Sequence, residues 1–324
     1  MTGPEQMLHA ILPYLAHLPE AKRAEAVSHL SGVAQCAVLL AASRGLDPKL
    51  AALSGWLHDV YSYATGIRVM HDVSGAECAR VIIERHGWCS ESEAQAVCRA
   101  VMHHSNKDQI DGPYEELLKD ADILARLLAN PAHPFSMPKL HRLRSMMQPL
   151  GLAFDPVAKM TLSPAAPAAL PLAPAARHQA FLHIRGDMAD ARFMEMTRYW
   201  PEPEAPQELV GQWCAAFVYH LCMVCNRPLP IRAPGVSLRF SCVAAWVEYA
   251  RIHGLLHTSG QPHPGDIVIL NLRSPADHMG IFLGLNQNKW ETAEGNLDGS
   301  NVSGLGLRDP NHEVFGFFHG PGGL

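Results

Sequence analysis

The chain has 324 residues, a formal net charge of −5, 48% hydrophobic residues and 18% charged residues. This length favours two domains, each large enough to bury its own core. The acidic balance argues against duplex nucleic acid or an anionic membrane surface as a partner. The 19 histidines are the unusual figure, and they direct attention to metal sites.

The N-terminal segment has no basic n-region, and its apolar patch is interrupted by Pro13 and His17. We therefore expect an ordinary helix there rather than a signal peptide, and no stretch reaches the roughly 18 apolar residues of a membrane span. The eight cysteines lie mostly in apolar helical patterns, which favours reduced thiols and a cytoplasmic location. The pair Cys222 and Cys225 has no second C-x-x-C to complete a zinc site, so packing is favoured over metal or redox use.

Helical patterns follow one another from the start to about residue 130. They cover residues 27–46, 47–60, 74–87, 90–104 and 114–130, and a basic segment at 138–150 adds one more. Gly45 marks one helix end, while Asp47 followed by Pro48 marks a helix start. Residues 1–150 are therefore predicted to form an all-α domain.

Alanine and proline dominate residues 163–178, a composition typical of a semi-extended linker. We place a linker and connecting segment at 151–204 and a second domain at 205–324. Helical patterns at 213–225 and 241–254 open this domain, and strand-like runs follow at 265–272, 278–285, 289–296 and 313–318. Helices followed by a strand meander indicate an α+β domain.

The first half centres on the adjacent residues His58 and Asp59 in LSGWLHDV. Neighbouring side chains on a helix point about 100° apart, so both reach one ion only near a helix end or where further ligands converge. Imidazole and carboxylate groups together suit Mn, Fe, Co, Ni or Zn. Further candidate ligands are His29, His71, His103, His104, Asp120 and Asp122.

The segments AVSHLSGV, LSGWLHDV and LLKDADIL together resemble the HD-domain phosphohydrolase superfamily over roughly residues 20–130. The family pattern H…HD…D falls on His29, His58, Asp59 and Asp122. The resemblance favours Asp122 over Asp120 because the family has its aspartate in an AD-x-L step. His71, His103 and His104 resemble the extension with which some members hold a second ion. The resemblance thus implies a metal-dependent phosphohydrolase with one or two divalent transition-metal ions per chain, acting on a nucleotide or another small phosphate ester.

The second half centres on Cys214 in GQWCAAFVYH, at the start of an apolar helical pattern. Such a thiol is either a small buried hydrophobe or a nucleophile at the positive end of a helix dipole. A nucleophile needs a base and a group that orients the base. His278 begins a predicted strand, and Glu294 and Asn296 would share one face of the next, so both are candidates for that orienting group.

The segments GQWCAAFV, HPGDIVIL, DHMGIFLG and AEGN resemble the CHAP branch of the NlpC/P60 cysteine amidases and peptidases over about residues 205–320. The resemblance implies a papain-like α+β domain with a small antiparallel sheet. It makes Cys214 the nucleophile, His278 the general base and Glu294 or Asn296 the orienting group. The implied substrate is an amide bond in a peptide or in a peptidoglycan-like molecule.

The leading hypothesis is therefore a bifunctional hydrolase, in which an HD-type phosphohydrolase precedes a CHAP-type cysteine amidase. The alternative is that only the amidase is active and the HD-type domain is a ligand-binding regulatory module. No cofactor other than the metal is expected, and neither duplex nucleic acid nor a membrane is an expected partner.

Overall fold

The chain divides into two compact units, Met1–Ala165 and Ala166–Leu324. The computed structural model describes residues 3–147, 168–270 and 278–320. The first residues of the Ala/Pro-rich stretch at 163–178 lie outside the described residues. The end of the strand predicted at 265–272 lies outside them as well. Each unit contains its own set of buried apolar side chains.

The first unit is helical throughout its described residues, as predicted. Its helices are α1 Pro4–Leu15, α2 Glu20–Arg44, α3 Pro48–Leu57, α4 Val60–Thr65, α5 His71–His86, α6 Glu91–His103, α7 Pro113–Ala129 and α8 Met137–Met147. Helix α2 packs against both α3 and α7, and α5 packs against α6. The histidine and aspartate candidates of the first half therefore lie on neighbouring helices.

Local sequence signals set several of these helix ends. Helix α2 ends at Gly45, which takes the left-handed conformation with φ 66°. The side chain of Asp47 accepts a hydrogen bond from Lys49 N at 2.7 Å and caps α3. Ser90 and Glu93 form a reciprocal capping box at the start of α6. These ends agree with the boundaries expected from the sequence.

Helix α2 is, among the described residues, long and apolar enough to cross a membrane by length and composition. A buried helix in a globular core passes the same test. Eight of its residues are buried in the helical unit, and it also carries His29. Part of its apolar surface therefore packs within that unit.

The second unit combines helices with one antiparallel sheet. Its helices are α9 Leu172–Phe181, α10 Ala191–Thr197, α11 Ala205–Leu209, α12 Cys214–Val224 and α13 Val243–Ile252, and its strands are β1 Ile267–Leu270, β2 His278–Asn286, β3 Lys289–Glu294, β4 Gly304–Arg308 and β5 Val314–Phe318. The strand order is β4-β3-β2-β1-β5, with every neighbouring pair antiparallel. The small antiparallel sheet expected from the sequence is thereby confirmed.

Helix α12 is buried and packs on β2 and β3, which brings the start of this helix to the strands that carry His278 and Glu294. All eight cysteines are free. Burial raises the pKa of Cys222 to about 12, and Cys225 lies at the end of the same helix. This placement fits the expectation that these two thiols serve packing.

Residues assigned above to the connecting segment form helices in the second unit. Helices α9 and α10 bury Leu172, Ala176 and Phe193 in its core. The backbone of Gly186 exchanges hydrogen bonds with Asn301, each 2.8 Å long. The unit thus begins well before residue 205, because α9 packs against β2, β3 and β4, and α10 packs against α11 and α12.

Candidate active sites

The chain leaves helical geometry between His58 and Asp59. Helix α3 ends at Leu57, and α4 begins at Val60 with Asp59 as its N-cap residue at φ −117° and ψ 10°. The two side chains are thus freed from the 100° separation that a continuous helix imposes. Both side chains can therefore face the same point, as two ligands of one metal ion must.

A first group of ligand atoms is formed by His29, His58 and Asp59, which lie within 4.8 Å of one another. His29 Nε2 is 3.2 Å from His58 Nε2 and 3.7 Å from Asp59 Oδ2. His58 Nε2 is 3.5 Å from the same oxygen. The opposite nitrogen of His58, Nδ1, donates to Gly55 O at 2.8 Å, so Nε2 is the nitrogen free to bind an ion.

A second group is formed by Asp59, His71 and His104, and it shares Asp59 with the first. The Nε2 atoms of His71 and His104 each lie 3.6 Å from Asp59 Oδ1. Their Nδ1 atoms donate to backbone carbonyls, those of Arg68 at 2.7 Å and Val101 at 2.6 Å. These bonds fix both rings with Nε2 toward the carboxylate, the usual orientation of metal-binding histidines.

One observation indicates that these two groups are suited to bind a divalent ion. Asp59 Oδ1 is buried and makes no hydrogen bond among the described residues. A buried carboxylate oxygen without a donor is costly, and a cation between it and the imidazoles would satisfy it. Burial alone would raise the pKa of Asp59, but the imidazoles around it, His58 foremost, hold that pKa well below its usual range. Asp59 is therefore ready to bind a cation at neutral pH.

Asp122 on α7 lies beside the first group, and Asp120 does not. Asp122 Oδ1 is 3.7 Å from His29 Nε2, whereas Asp120 pairs with Arg44 at 2.6 Å. Burial favours protonation of Asp122, but Lys107 and Arg126 outweigh it and hold its pKa well below the usual range. Of these two aspartates, Asp122 is therefore the one that lies beside His29.

His103 belongs to neither group and, unlike Asp122, does not lie beside one of them. It is the last residue of α6, and its Nδ1 lies 3.9 Å from Asp111 Oδ1. The next residue, His104, is directed inward and is 3% exposed. Adjacent positions at a helix end face different directions, so only one of the two imidazoles reaches Asp59.

In the second unit, Cys214 is the first residue of α12 and is buried. His278, the first residue of β2, hydrogen-bonds to the side chains of both Cys214 and Glu294. The bond to Glu294 joins His278 Nε2 to Oε2 at 2.7 Å, which leaves Nδ1 for the thiol. Burial disfavours the charged ring, but Cys214 and Glu294 outweigh it and raise the pKa of His278 to about 10. A thiol, an imidazole and a carboxylate are thus brought together in the order that nucleophilic catalysis requires.

Glu294 is fully buried and is held from several sides. Arg308 Nε donates to its Oε1 at 2.8 Å, and Arg308 Nη2 and Thr292 Oγ1 also donate to the carboxylate. Burial alone would raise the pKa of Glu294, but His278 and Arg308 outweigh it and lower that pKa to about 2. A side chain on Gly306 of β4 would collide with this carboxylate, with Thr292 and with Arg308. Glycine at 306 therefore makes the room in which Glu294 reaches His278.

Asn296, the other candidate orienting group, holds the backbone before the thiol. Its Nδ2 donates to Gly211 O at 2.7 Å, and its Oδ1 accepts from Asn301 N at 2.8 Å. Asn301 Oδ1 in turn accepts from Trp213 Nε1 at 2.9 Å. The structure thus pairs His278 with Glu294 and uses the two asparagines to fix the turn that leads into Cys214.

Sequence reasoning missed several side chains that complete these sites. Arg308 and Thr292 hold Glu294, Lys107 and Arg126 hold Asp122, and Ser105 Oγ lies 3.2 Å from His71 Nε2 and 3.4 Å from His104 Nε2. The role of Arg126 could have been predicted, because it follows Asp122 by four residues on α7 and that spacing places two side chains on one helix face. The role of Arg308 could not, since it lies on a strand that the sequence did not predict.

Comparison with known proteins agrees with this geometry in the first unit. The family model described as HD domain matches residues 26–127. No curated protein and no solved structure matches the chain. The matched range spans the helices that carry His29, the His58–Asp59 pair and Asp122.

The match to an HD domain at residues 26–127 supports the HD-domain prediction for the N-terminal half. An HD domain indicates a metal-dependent hydrolase, and the histidine–aspartate groups described above are able to hold the metal. The match ends at residue 127, so the interpretation of the second unit rests on its own residues.

Proposed function

We propose that the chain is a bifunctional hydrolase. The helical unit hydrolyses a nucleotide or another phosphate ester or phosphodiester, and the second unit cleaves a peptide-like amide, such as one in a cell-wall peptide, with Cys214. The phosphohydrolase is supported above all by the two ligand groups that share Asp59. The amidase is supported above all by the hydrogen-bonded series Cys214, His278 and Glu294.

In the helical unit, the ligand set is His29, His58, Asp59, His71, His104 and Asp122. A divalent ion held there would supply a metal-activated water and neutralise charge on the phosphoryl group. Asp59 belongs to both groups, so an ion held by either group would depend on this carboxylate. Lys107 and Arg126 fix Asp122 through bonds of 2.9 Å each, which keeps its carboxylate beside His29.

An anionic substrate is supported by the donors that remain on Arg126. Its Nε is bonded to Asp122, but its two terminal nitrogens make no hydrogen bond among the described residues. Its side chain is 37% exposed, so those nitrogens are open to a ligand. A guanidinium with two parallel N–H donors is well suited to phosphate oxygens.

In the second unit, the proton of Cys214 passes to His278 before the attack, so that His278 is an imidazolium when the sulfur of Cys214 attacks the amide carbonyl. Glu294 keeps the imidazole oriented and stabilises its charge, as the third member of such a series does. The first turn of α12 has N–H groups with no intrahelical acceptor, and the positive end of its dipole stabilises the developing oxyanion. His278 then gives its proton to the leaving amine, and water hydrolyses the thioester.

Two single variants of the full chain test the proposal. Asp59→Ala should abolish release of phosphate from a panel of nucleotides and phosphodiesters assayed with Mn²⁺, Co²⁺, Ni²⁺, Zn²⁺ and anaerobic Fe²⁺. Cys214→Ala should leave that release unchanged and abolish cleavage of peptide amides, including muropeptides. Each variant is thus the control for the other, and circular dichroism checks that both are folded.

Two other results would change the proposal. If Asp59→Ala alters only amide cleavage, and the wild-type chain releases no phosphate with any metal, the helical unit is a regulatory module. If Cys214→Ala leaves amide cleavage intact, the second unit does not use this thiol.

A further inference from the structure

A third group of metal-ligating side chains lies in the second unit, away from Cys214. It consists of His263, Asp266 and His319, whose ligand atoms lie within 4.8 Å of one another. Asp266 immediately precedes β1, and His319 immediately follows β5. Because Ile267 pairs with Phe318 in the antiparallel ladder, these two flanking residues are brought side by side.

Asp266 is held as a rigid, buried carboxylate. It is 3% exposed. Its Oδ2 accepts from the backbone N of His263 at 2.7 Å, and its Oδ1 accepts from His319 Nδ1 at 2.5 Å. The backbone of Asp266 also bonds to His263 O and Phe282 N, each at 2.9 Å. This turn fixes the carboxylate before any ion arrives.

The histidines around this carboxylate are exposed and close together. The rings of His263 and His319 have centroids 5.8 Å apart. A third imidazole, that of His257, has its centroid 6.2 Å from that of His319 and stacks on Phe317. The bond between His319 and Asp266 accounts for those two residues alone. That bond does not explain why the imidazoles of His263 and His257 lie at the same end of the sheet.

Two imidazoles and one carboxylate form a donor set that zinc and the neighbouring divalent transition metals accept. Ligands of a tetrahedral zinc ion lie roughly 3.4 Å apart, as follows from metal–ligand distances of about 2.0–2.2 Å. The ligand atoms of this group lie within 4.8 Å of one another, and both imidazoles are exposed. An open coordination position would be left for water or for His257.

We propose that His263, Asp266 and His319 bind one divalent transition-metal ion of the Zn²⁺, Co²⁺, Ni²⁺ and Cu²⁺ class. The site is separate from the amidase site, because His278 pairs with Leu270 at the other end of β1. Its effect is to tie the entry of β1 to the exit of β5. The ion therefore stabilises the second unit and takes no part in the cleavage of the amide.

The test counts bound ions on the full chain. Accessible thiols are first alkylated, so that cysteines do not bind the probe. Co²⁺ is then titrated into the wild type and into the double variant His263→Ala/His319→Ala, and ions retained after gel filtration are measured by mass spectrometry. The wild type should retain one more ion per chain than the double variant. His312→Ala, an exposed histidine of the same unit outside the group, should retain the wild-type number.

Thermal unfolding gives a second readout that does not depend on the helical unit. In an Asp59→Ala background, saturating Zn²⁺ should raise the melting temperature of the second unit, and His263→Ala/His319→Ala should remove that increase. Asp266→Asn should weaken the apparent affinity at least tenfold. Equal ion counts in the wild type and the double variant, or equal Zn²⁺ shifts in both, would overturn the proposal whatever the helical unit does.

Discussion

Arg126 carries a positive charge beside the ligand groups of the helical unit and still has donors to offer. Arg126→Gln should raise KM for the phosphate substrate by about tenfold or more, since a hydrogen bond to a charged group contributes about 1.5–3 kcal/mol. The change in kcat should be smaller because Asp122 keeps its bond to Lys107. Steady-state phosphate release with saturating metal measures both constants.

Arg44→Gln is the matched control for this prediction. Arg44, the last residue of α2, pairs with Asp120 on α7, the helix that also carries Arg126. This pair lies outside the ligand groups. Its loss should leave KM unchanged and cost only stability. Equal increases of KM in both variants would show that Arg126 acts through the packing of α7 and not through the substrate.

Glu294 controls the charge of His278, and this control should be visible in a pH profile. Since the folded-state pKa of His278 is raised to about 10, the imidazolium persists up to that pH and is lost above it. Glu294→Gln removes one of the groups that raise this pKa. The alkaline limb of kcat/KM for a chromogenic peptide amide should therefore move from about pH 10 to a lower pH, and kcat should fall.

Glu313→Gln provides the comparison, because Glu313 lies 3.7 Å from Arg308 Nη1 but does not contact His278. The alkaline limb of the kcat/KM profile of Glu313→Gln should coincide with that of the wild type. An unchanged limb in Glu294→Gln would mean that another group sets the charge of His278.

The residue types of both sites could be predicted from the sequence, but the choice between near neighbours could not. His103 and His104 are adjacent, and Glu294 and Asn296 are two apart, so spacing alone admits either member of each pair. The choice depends on where α6 ends and on the left-handed turn at Asn296, with φ 52°. That turn directs Asn296 to Gly211 and leaves Glu294 with His278.

At the scale of elements, the close packing of α3 on α2 depends on Gly55. A Cβ at this position would lie 2.6 Å from Ala34 N and would also collide with Ala34 Cα. Gly55→Ala should therefore lower the free energy of unfolding by about 1–3 kcal/mol, the usual cost of overpacking. It should also weaken metal binding, because Gly55 O accepts the bond that orients His58.

Gly32→Ala on α2 is the corresponding control. Its added Cβ would meet only Ala125 Cβ, at 3.9 Å, which is an ordinary contact. Alanine inside a helix should then stabilise the unit by about 0.5–1 kcal/mol. Chemical denaturation followed by circular dichroism measures both variants. A loss of stability in both would mean that the α2 surface, and not the crossing at Gly55, is intolerant of substitution.

Most helices and four of the five strands follow from periodicity and end signals, and the exceptions have physical causes. Strand β4 contains Gly304 and Gly306, and glycine is depleted in strands. The pattern at 47–60 predicts a single helix, whereas the structure divides it between His58 and Asp59. That division depends on the ligand groups and on packing by other helices, which no local pattern contains.

At the scale of the whole molecule, each site lies within one compact unit. The ligand groups of the helical unit fall inside Met1–Ala165, and Cys214, His278 and Glu294 fall inside Ala166–Leu324. Composition placed the start of the second domain at 205, because the Ala/Pro-rich stretch resembles a linker. Composition does not show that α9 buries its apolar face, since this depends on a sheet more than 60 residues further along the chain. Nor does it show that α10 packs against α12.

The two possible starts of the second unit make opposite predictions for fragments of the chain. A fragment of residues 166–324 should fold cooperatively and keep peptide-amide cleavage.

A fragment of residues 205–324 lacks six large buried side chains: Leu172, Ile184, Phe193, Met196, Tyr199 and Trp200. Burial of each of these side chains contributes about 1.5–3 kcal/mol. Losing all six therefore costs an amount comparable to the roughly 5–15 kcal/mol by which a whole domain is stable. The shorter fragment also loses the bonds between Gly186 and Asn301 that support the turn before Cys214. It should therefore be unfolded by circular dichroism, and a folded, active 205–324 fragment would instead make residues 168–204 dispensable.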